Sequence, residues 1–170
     1  TASTDSLTVL VSPTTEAASD FLGSNTSGLT TTGFETVAIN TGSFVSNTAT
    51  TQNLGALNVG STNAVTVTGS NSLGLAAGLV ATSLDASALS GTAVLTMGGA
   101  ATAITSVIGS ARGDTIVGDA SSSIDRGAGN GTITGGSGND TILGGDGNDS
   151  ITGNGGVDSI LGGAGNDTVI

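Results

Sequence analysis

Residues 135–170 repeat with a period of nine residues. The four consecutive units read GGSGNDTIL, GGDGNDSIT, GNGGVDSIL and GGAGNDTVI. Each unit has Asp at position six and Ile or Val at position eight. A flexible Gly-rich linker does not keep a β-branched residue at every ninth position. The period therefore predicts a folded array of short, similar units.

The repeat extends towards the N-terminus in weaker form. Residues 126–134 (RGAGNGTIT) keep the pattern but carry Gly131 where the other units carry Asp. Before them, residues 117–125 (VGDASSSID) keep only the apolar position, at Ile124. Residues 109–116 (GSARGDTI) match again through Asp114 and Ile116. We therefore expect a regular array over 135–170 and a degenerate one over 109–134.

The pattern Gly-Gly-x-Gly-x-Asp-x-U-x, where U is a large apolar residue, is a known β-helix repeat. It resembles the RTX family of secreted calcium-binding proteins, closely over 126–170 and loosely over 109–125. The resemblance implies a parallel β-roll with a turn of six residues and a strand of three per unit. Two successive units then make one full coil, so that units stack every eighteen residues. Alternation along the strands places one column of side chains inside: Ile133, Ile142, Ile151, Ile160 and Val169.

The chemistry of the turns points to calcium. Glycine permits turn conformations that residues with a Cβ avoid. Calcium takes six to eight oxygen ligands at about 2.3–2.6 Å, and backbone carbonyls serve as well as carboxylates. Asp at position six would supply the charged ligand, and residues at positions one, three and four would supply the rest of the turn. The candidate metal ligands are Asp140, Asp149, Asp158, Asp167, Gly135, Ser137, Gly138, Gly144, Asp146, Gly147, Gly153, Gly155, Gly156, Gly162, Ala164, Gly165 and Asp114.

Stacking every eighteen residues assigns these ligands to sites on two opposite edges. Asp140 is predicted to share an ion with Asp158, and Asp149 with Asp167. A third site, between the turn ending at Gly131 and the turn ending at Asp149, lacks one carboxylate and should be weaker. Asp114 would serve an earlier site.

Two charged side chains of the repeats have alternative interpretations. Arg126, at position one of its unit, either faces solvent, as surface charges usually do, or replaces a cation electrostatically. Asp146, at position three, either adds a ligand or faces water.

Residues 1–108 predict a β-rich region. Short runs of β-branched residues, separated by Gly, Asn and Ser, predict strands. Only Thr14–Phe21, after Ser12-Pro13, has a helical pattern. The strand spacing fits either a parallel β-helix or a small sandwich, and we treat 1–108 and 109–170 as two regions of an all-β chain. The predicted strands are Ser6–Val11, Glu35–Asn40, Ala56–Val59, Ala64–Thr68, Ala93–Met97 and Ile104–Ile108.

Charge and composition exclude several functions. The net charge is −11 with only two basic residues, which argues against a nucleic-acid partner and against an anionic membrane surface. No apolar run reaches the roughly 20 residues of a membrane span. The sequence has no His, Cys or Lys, so the usual nucleophilic triads and zinc sites are excluded and we expect no enzyme activity. The chain does not begin with Met and Ile170 lies within a repeat, so we expect a piece of a longer protein.

The expected function is structural. One β-branched residue per nine is too small a core to offset the backbone entropy of so many glycines, so the roll should fold only when calcium binds. Residues 29–40 and 84–99 resemble the C-terminal regions of bacterial RTX surface-layer proteins. That resemblance implies type I secretion, an extracellular cell-surface location, self-association into a lattice or filament, and cell-surface polysaccharide as a candidate partner. The alternatives are an adhesin or spacer module and the noncatalytic tail of a secreted enzyme or toxin.

Overall fold

The computed structural model describes residues 6–10, 29–30, 36–41, 51–54, 57–59, 64–70, 72–75, 79–98 and 103–170. Eighteen β-strands and no helix occur in these ranges. All strand pairs are parallel, and the chain passes from one sheet to the next instead of returning beside itself. This is a parallel β-solenoid. The helical pattern predicted for Thr14–Phe21 lies outside the described residues.

Three sheets form the sides of the first described coils, and later coils add strands only to the first two sheets. The first sheet contains β1 (Ser6–Leu10), β3 (Thr36–Asn40), β6 (Ala64–Gly69), β9 (Ser83–Leu89), β11 (Ser106–Ile108), β13 (Ser123–Asp125), β15 (Thr141–Asp146) and β17 (Ser159–Ala164). The second contains β4 (Thr51–Leu54), β7 (Ser72–Leu75), β10 (Leu95–Met97), β12 (Thr115–Val117), β14 (Thr132–Gly136), β16 (Ser150–Asn154) and β18 (Thr168–Val169). The third contains β2 (Leu29–Thr30), β5 (Leu57–Asn58) and β8 (Leu79–Val80).

The third sheet stops after β8, so the described coils change from three sides to two. The first two sheets continue without a break across residue 108, because β9 pairs with β11 and β10 pairs with β12. Of the two folds that the sequence allowed for the N-terminal region, the β-helix is correct and the sandwich is wrong. Each of the six strands predicted there overlaps an observed strand.

The core is a continuous column of aliphatic side chains between the sheets. A greater number of Leu and Val side chains fills the three-sided coils, where Leu57, Leu79 and Leu84 are buried. In the two-sided coils a single Ile per strand meets the opposite sheet, as at Ile142 and Ile151. Burial of aliphatic surface drives the folding of both regions, but the two-sided coils bury much less aliphatic surface.

The repeat units stack as predicted, every eighteen residues. Thr141 pairs with Ser159 and Ser150 pairs with Thr168. Ile133, Ile142 and Ile151 are buried, and Ile160 is half-buried against the core. Val169 is in register with Ile151 but is 53 % exposed, because β18 has a neighbour on one side only.

One unit boundary differs from the sequence-based division. Val117 is the last residue of β12 and pairs with Thr134, which ends its own repeat unit. Gly118 donates its backbone N–H to the Thr134 carbonyl and opens the next turn. The units are therefore 109–117 and 118–125, and the second has lost one turn residue rather than the first.

Candidate metal sites

Hydrogen bonds along the turns link each position-six residue to the carboxylate one coil further on. The Asp140 N–H donates to Asp158 Oδ1 at 3.0 Å, and the Asp149 N–H donates to Asp167 Oδ1 at 3.0 Å. The two residues of each predicted pair are thus in direct contact, on opposite edges of the roll. Because one oxygen of each carboxylate accepts a backbone N–H, the side chain is held in a fixed orientation and its second oxygen is left for another partner.

The second oxygen of each carboxylate faces the start of its own turn. A Cβ built on Gly135 would lie 2.5 Å from Asp140 Oδ2, and one on Gly153 would lie 2.2 Å from Asp158 Oδ2. Position one therefore has to be glycine wherever position six is Asp. Position two favours glycine for a different reason, since Gly145 has φ +95°; Asn154, at position two of the third regular unit, also has a positive φ, of 72°.

The remaining candidate ligands form two stacks of turns. Gly136 pairs with Asn154 in one stack, and Gly145 pairs with Gly163 in the other. Gly135, Ser137, Gly138, Gly153, Gly155 and Gly156 lie in the turns of Asp140 and Asp158. Gly144, Asp146, Gly147, Gly162, Ala164 and Gly165 lie in the turns of Asp149 and Asp167. Within the second stack, the Ala164 carbonyl accepts the Gly147 N–H at 2.7 Å, and the Asp146 side chain is exposed to solvent.

The surroundings of Asp140 indicate whether a cation fits its turn. It is 2 % exposed, and its Oδ2 has no hydrogen-bond partner, although buried carboxylate oxygens normally have one. Burial raises the pKa of Asp140, and the Asp158 carboxylate raises it further. A cation beside Oδ2 would supply the missing partner and compensate both charges. The residues of this turn therefore fit a bound cation.

The donor set selects the type of cation. The turns offer only oxygen atoms, from carboxylates and from backbone carbonyls, and this is the preference of calcium rather than zinc or copper. No three acidic side chains meet anywhere in the described ranges. Each site would consequently combine two carboxylates with several carbonyl oxygens. When bound, calcium would neutralise the paired carboxylates and tie successive turns together.

Asp114 occupies position six of the first degenerate unit, but its oxygens are already used. The Leu95 N–H donates to Oδ1 at 2.7 Å, and the Ser110 hydroxyl donates to the same oxygen at 2.8 Å, while the Ser110 N–H donates to Oδ2. The carboxyl is fully buried, and burial raises its pKa despite these donors. Here protein donors occupy both carboxylate oxygens, whereas Asp140 Oδ2 in the regular repeats has no partner.

Arg126 is completely buried, so the expectation that its charge faces solvent is wrong. Its Nη2 lies 2.8 Å from both carboxylate oxygens of Asp149. The Gly131 N–H also donates to Asp149 Oδ1 at 3.0 Å. In contrast to Asp140, Asp149 therefore has partners on both oxygens.

Two further features of the turns were not anticipated. Ser122 stands in the position-six column, because its N–H donates to Asp140 Oδ1 at 2.7 Å. Asn side chains at position five form a second ladder: Asn130 Oδ1 accepts the Asn148 N–H, and Asn148 Oδ1 accepts the Asn166 N–H, both at 2.8 Å. The recurrence of Asn at position five was the available signal for this ladder.

Comparison with known proteins agrees with the geometry of the turns. Residues 134–169 match the family model described as the RTX calcium-binding nonapeptide repeat, in four copies. No curated protein and no solved structure gives a significant match to the chain. In the described part of the chain, no helix is long and apolar enough to cross a membrane. Residues 134–169 thus match calcium-binding RTX repeats in sequence and form a parallel β-roll.

Proposed function

We propose that this chain is a structural part of a secreted bacterial surface protein, and that calcium switches its C-terminal roll from unfolded to folded. The observation that carries the proposal is the buried, unpartnered Oδ2 of Asp140 beside the Asp158 carboxylate. Such a pair destabilises the calcium-free fold and stabilises the calcium-bound one.

The small core of the roll explains why calcium would control folding. The two-sided coils bury about one Ile per strand, and apolar side chains at the outward-facing position nine, such as the 63 % exposed Leu161, add little to the core. Apolar burial on this scale does not offset the conformational entropy of a Gly-rich chain. Calcium binds the folded state and not the unfolded state, so its binding free energy stabilises the fold. Bacterial cytosol holds little free calcium, so the roll would remain secretable inside and fold outside.

A calcium titration of the purified chain tests the switch. Far-ultraviolet circular dichroism should gain β signal between micromolar and about 10 mM calcium, and magnesium should not replace calcium, because it needs a stricter octahedral site. No calcium-dependent change would refute the switch.

A matched pair of variants tests the site. Asp158→Asn keeps an oxygen that can accept the Asp140 N–H, but it removes the carboxylate charge. We expect the number of bound calcium ions to fall by one. Asp125→Asn, on an exposed strand residue, changes the net charge equally and should leave the number unchanged. Equal ion counts in the two variants would contradict the assignment.

Assembly into a surface layer or filament is the second part of the proposal. It is supported by the composition of residues 1–108, which is rich in Thr, Ala and Val and free of Lys. Light scattering and electron microscopy should detect ordered sheets or fibres when calcium is added. A calcium-bound chain that stays monomeric would instead favour a spacer or an enzyme tail.

A further inference from the structure

We propose that the guanidinium group of Arg126 is a built-in cation that occupies the third cation position of the roll. The guanidinium would then take the place of calcium between the turns of residues 126–131 and 144–149, and these two turns would remain ordered when calcium is removed. This inference rests on the proposed calcium-dependent function, which it deepens by dividing the roll into calcium-dependent and calcium-independent coils.

A side chain at position one of a repeat unit points towards position six of the same unit. In the regular units a Cβ at position one would point at the position-six carboxylate of the same unit, as Gly144 shows with 2.7 Å to Asp149 Oδ2. Arg126 occupies position one of its own unit. Its side chain therefore enters the space in which the other units hold their carboxylate and the adjoining cation.

The contacts of the guanidinium are those that a calcium ion would make. Nη1 donates to the carbonyl oxygens of Ala128 at 2.7 Å and of Arg112 at 3.3 Å. Nη2 donates to the Asp146 carbonyl at 3.0 Å and contacts both oxygens of Asp149 at 2.8 Å. Three successive turns on one edge thus direct oxygen atoms at one buried positive charge.

The fit of the guanidinium is incomplete in an informative way. Arg126 Nε is buried and has no hydrogen-bond partner. A guanidinium is planar and has five N–H donors, whereas the oxygen atoms of such turns would surround a spherical ion. One N–H donor is therefore left without an acceptor. A side chain selected only for packing would not carry a buried charge into this position.

Gly131 supplies an independent observation. It is the position-six residue of the same unit and has lost the Asp found in the four regular units. A Cβ on Gly131 would lie 2.1 Å from Arg126 Cδ and 2.7 Å from Nε. A position-six side chain would collide with the arginine in its observed conformation, which is why we treat the two departures from the repeat as a single replacement of carboxylate and ion by one cationic side chain.

The position of this replacement gives it a role. It lies where the chain passes from coils with a large aliphatic core to coils that depend on calcium. An ordered turn there would present Asp149, already oriented by Arg126 and by the Gly131 N–H, to the next coil. The calcium-dependent coils would then fold onto an existing template, which removes the nucleation cost of the first coil.

The decisive variant is the double substitution Arg126→Gly with Gly131→Asp, which restores the regular repeat. Native mass spectrometry at saturating calcium should count one ion more than in the unmodified chain. An unchanged count would overturn the proposal. Arg112→Gln is the control, because Arg112 is the only other basic residue and its side chain is exposed; it should bind as many ions as the unmodified chain.

A second measurement needs no calcium and stays decisive if the double variant does not fold. In EDTA, the amides of Gly131 and Asp146 should exchange with deuterium far more slowly than those of Asp140 and Asp149. Arg126→Met keeps the length of the side chain but leaves Asp149 buried without its cation, so protection of Gly131 should fall about a hundredfold or more. Protection that is already absent from the unmodified chain would refute the inference.

These outcomes separate the inference from the proposed function. If the unmodified chain binds calcium and the double variant gains no ion, the inference fails and the proposed function stands. If the unmodified chain binds none and the double variant binds one, the inference stands and the calcium switch fails. If neither binds calcium, both fail.

Discussion

The coupling between core and calcium predicts that a core substitution far from any ligand will raise the calcium requirement. Ile142 is 1 % exposed and lies between Ile124 and Ile160 in the first sheet. Ile142→Ala removes three carbon groups at about 0.8 kcal/mol each and leaves a cavity, so we expect a loss of about 3 kcal/mol. The calcium ligands remain intact.

The same loss can be expressed as a calcium concentration. For two sites that exist only in the folded state, each tenfold rise in free calcium above the dissociation constant adds about 2.7 kcal/mol to the free energy of unfolding. Ile142→Ala should therefore need about tenfold more calcium to reach half-folding. Circular dichroism during a calcium titration measures this midpoint, and the number of bound ions at saturation should not change.

Val169→Ala is the matched control. Val169 belongs to the same repeat position but is 53 % exposed, so its truncation should cost well under 1 kcal/mol and shift the midpoint less than about twofold. A midpoint for Ile142→Ala within twofold of the unmodified chain would refute the coupling. Equal shifts in the two variants would show that folding of the roll does not depend on its core.

Three further results are expected. Gly145→Ala would place a Cβ 1.7 Å from a backbone oxygen at a residue with φ +95°. Gly91 also has a positive φ but has free space around it, so Gly91→Ala should lower the free energy of unfolding by only about 1 kcal/mol. The Gly145→Ala variant should therefore unfold at a clearly lower urea concentration than the Gly91→Ala variant. Asn148→Ala removes the acceptor of an exposed backbone N–H, so it should lower the free energy of unfolding by less than about 1 kcal/mol. Because burial raises the pKa of Asp140 above its usual 3.8 and calcium binds the deprotonated carboxylate, the calcium concentration needed for half-folding should rise as the pH falls through this raised pKa, which circular dichroism titrations at several pH values would measure.

The sequence predicted those parts of the fold that depend on local period. A nine-residue repeat with Ile at position eight determines both the stacking every eighteen residues and the residues that meet inside, such as Ile133 and Ile151. The strand Ser83–Leu89 was not predicted, because it contains Ala, Ser and Asp rather than β-branched residues. The choice between solenoid and sandwich depends on which distant strands pair, and short runs of β-branched residues do not determine this pairing.

The candidate site divides in the same way. Position-six carboxylates could be paired from spacing alone, since identical residues in identical coils must align. The burial of Arg126 could not be predicted from the sequence, because arginine side chains are usually solvated. Its burial depends on the direction of a position-one Cβ in the folded turn. The signal that was present in the sequence is the coincidence of two changes, Arg126 and Gly131, in one repeat unit.

The hydrogen bonds between position-six residues also determine how the roll would respond to tension. Each coil is attached to the one before it by a backbone ladder and by a carboxylate that accepts the preceding Asp N–H, as in Asp158 and Asp140. Force applied along the stack would therefore peel coils one at a time instead of breaking the whole domain at once. Each released coil of eighteen residues would lengthen the chain by about 60 Å. The regular coils would therefore release similar lengths of chain one after another, and rebinding of calcium would restore the folded length.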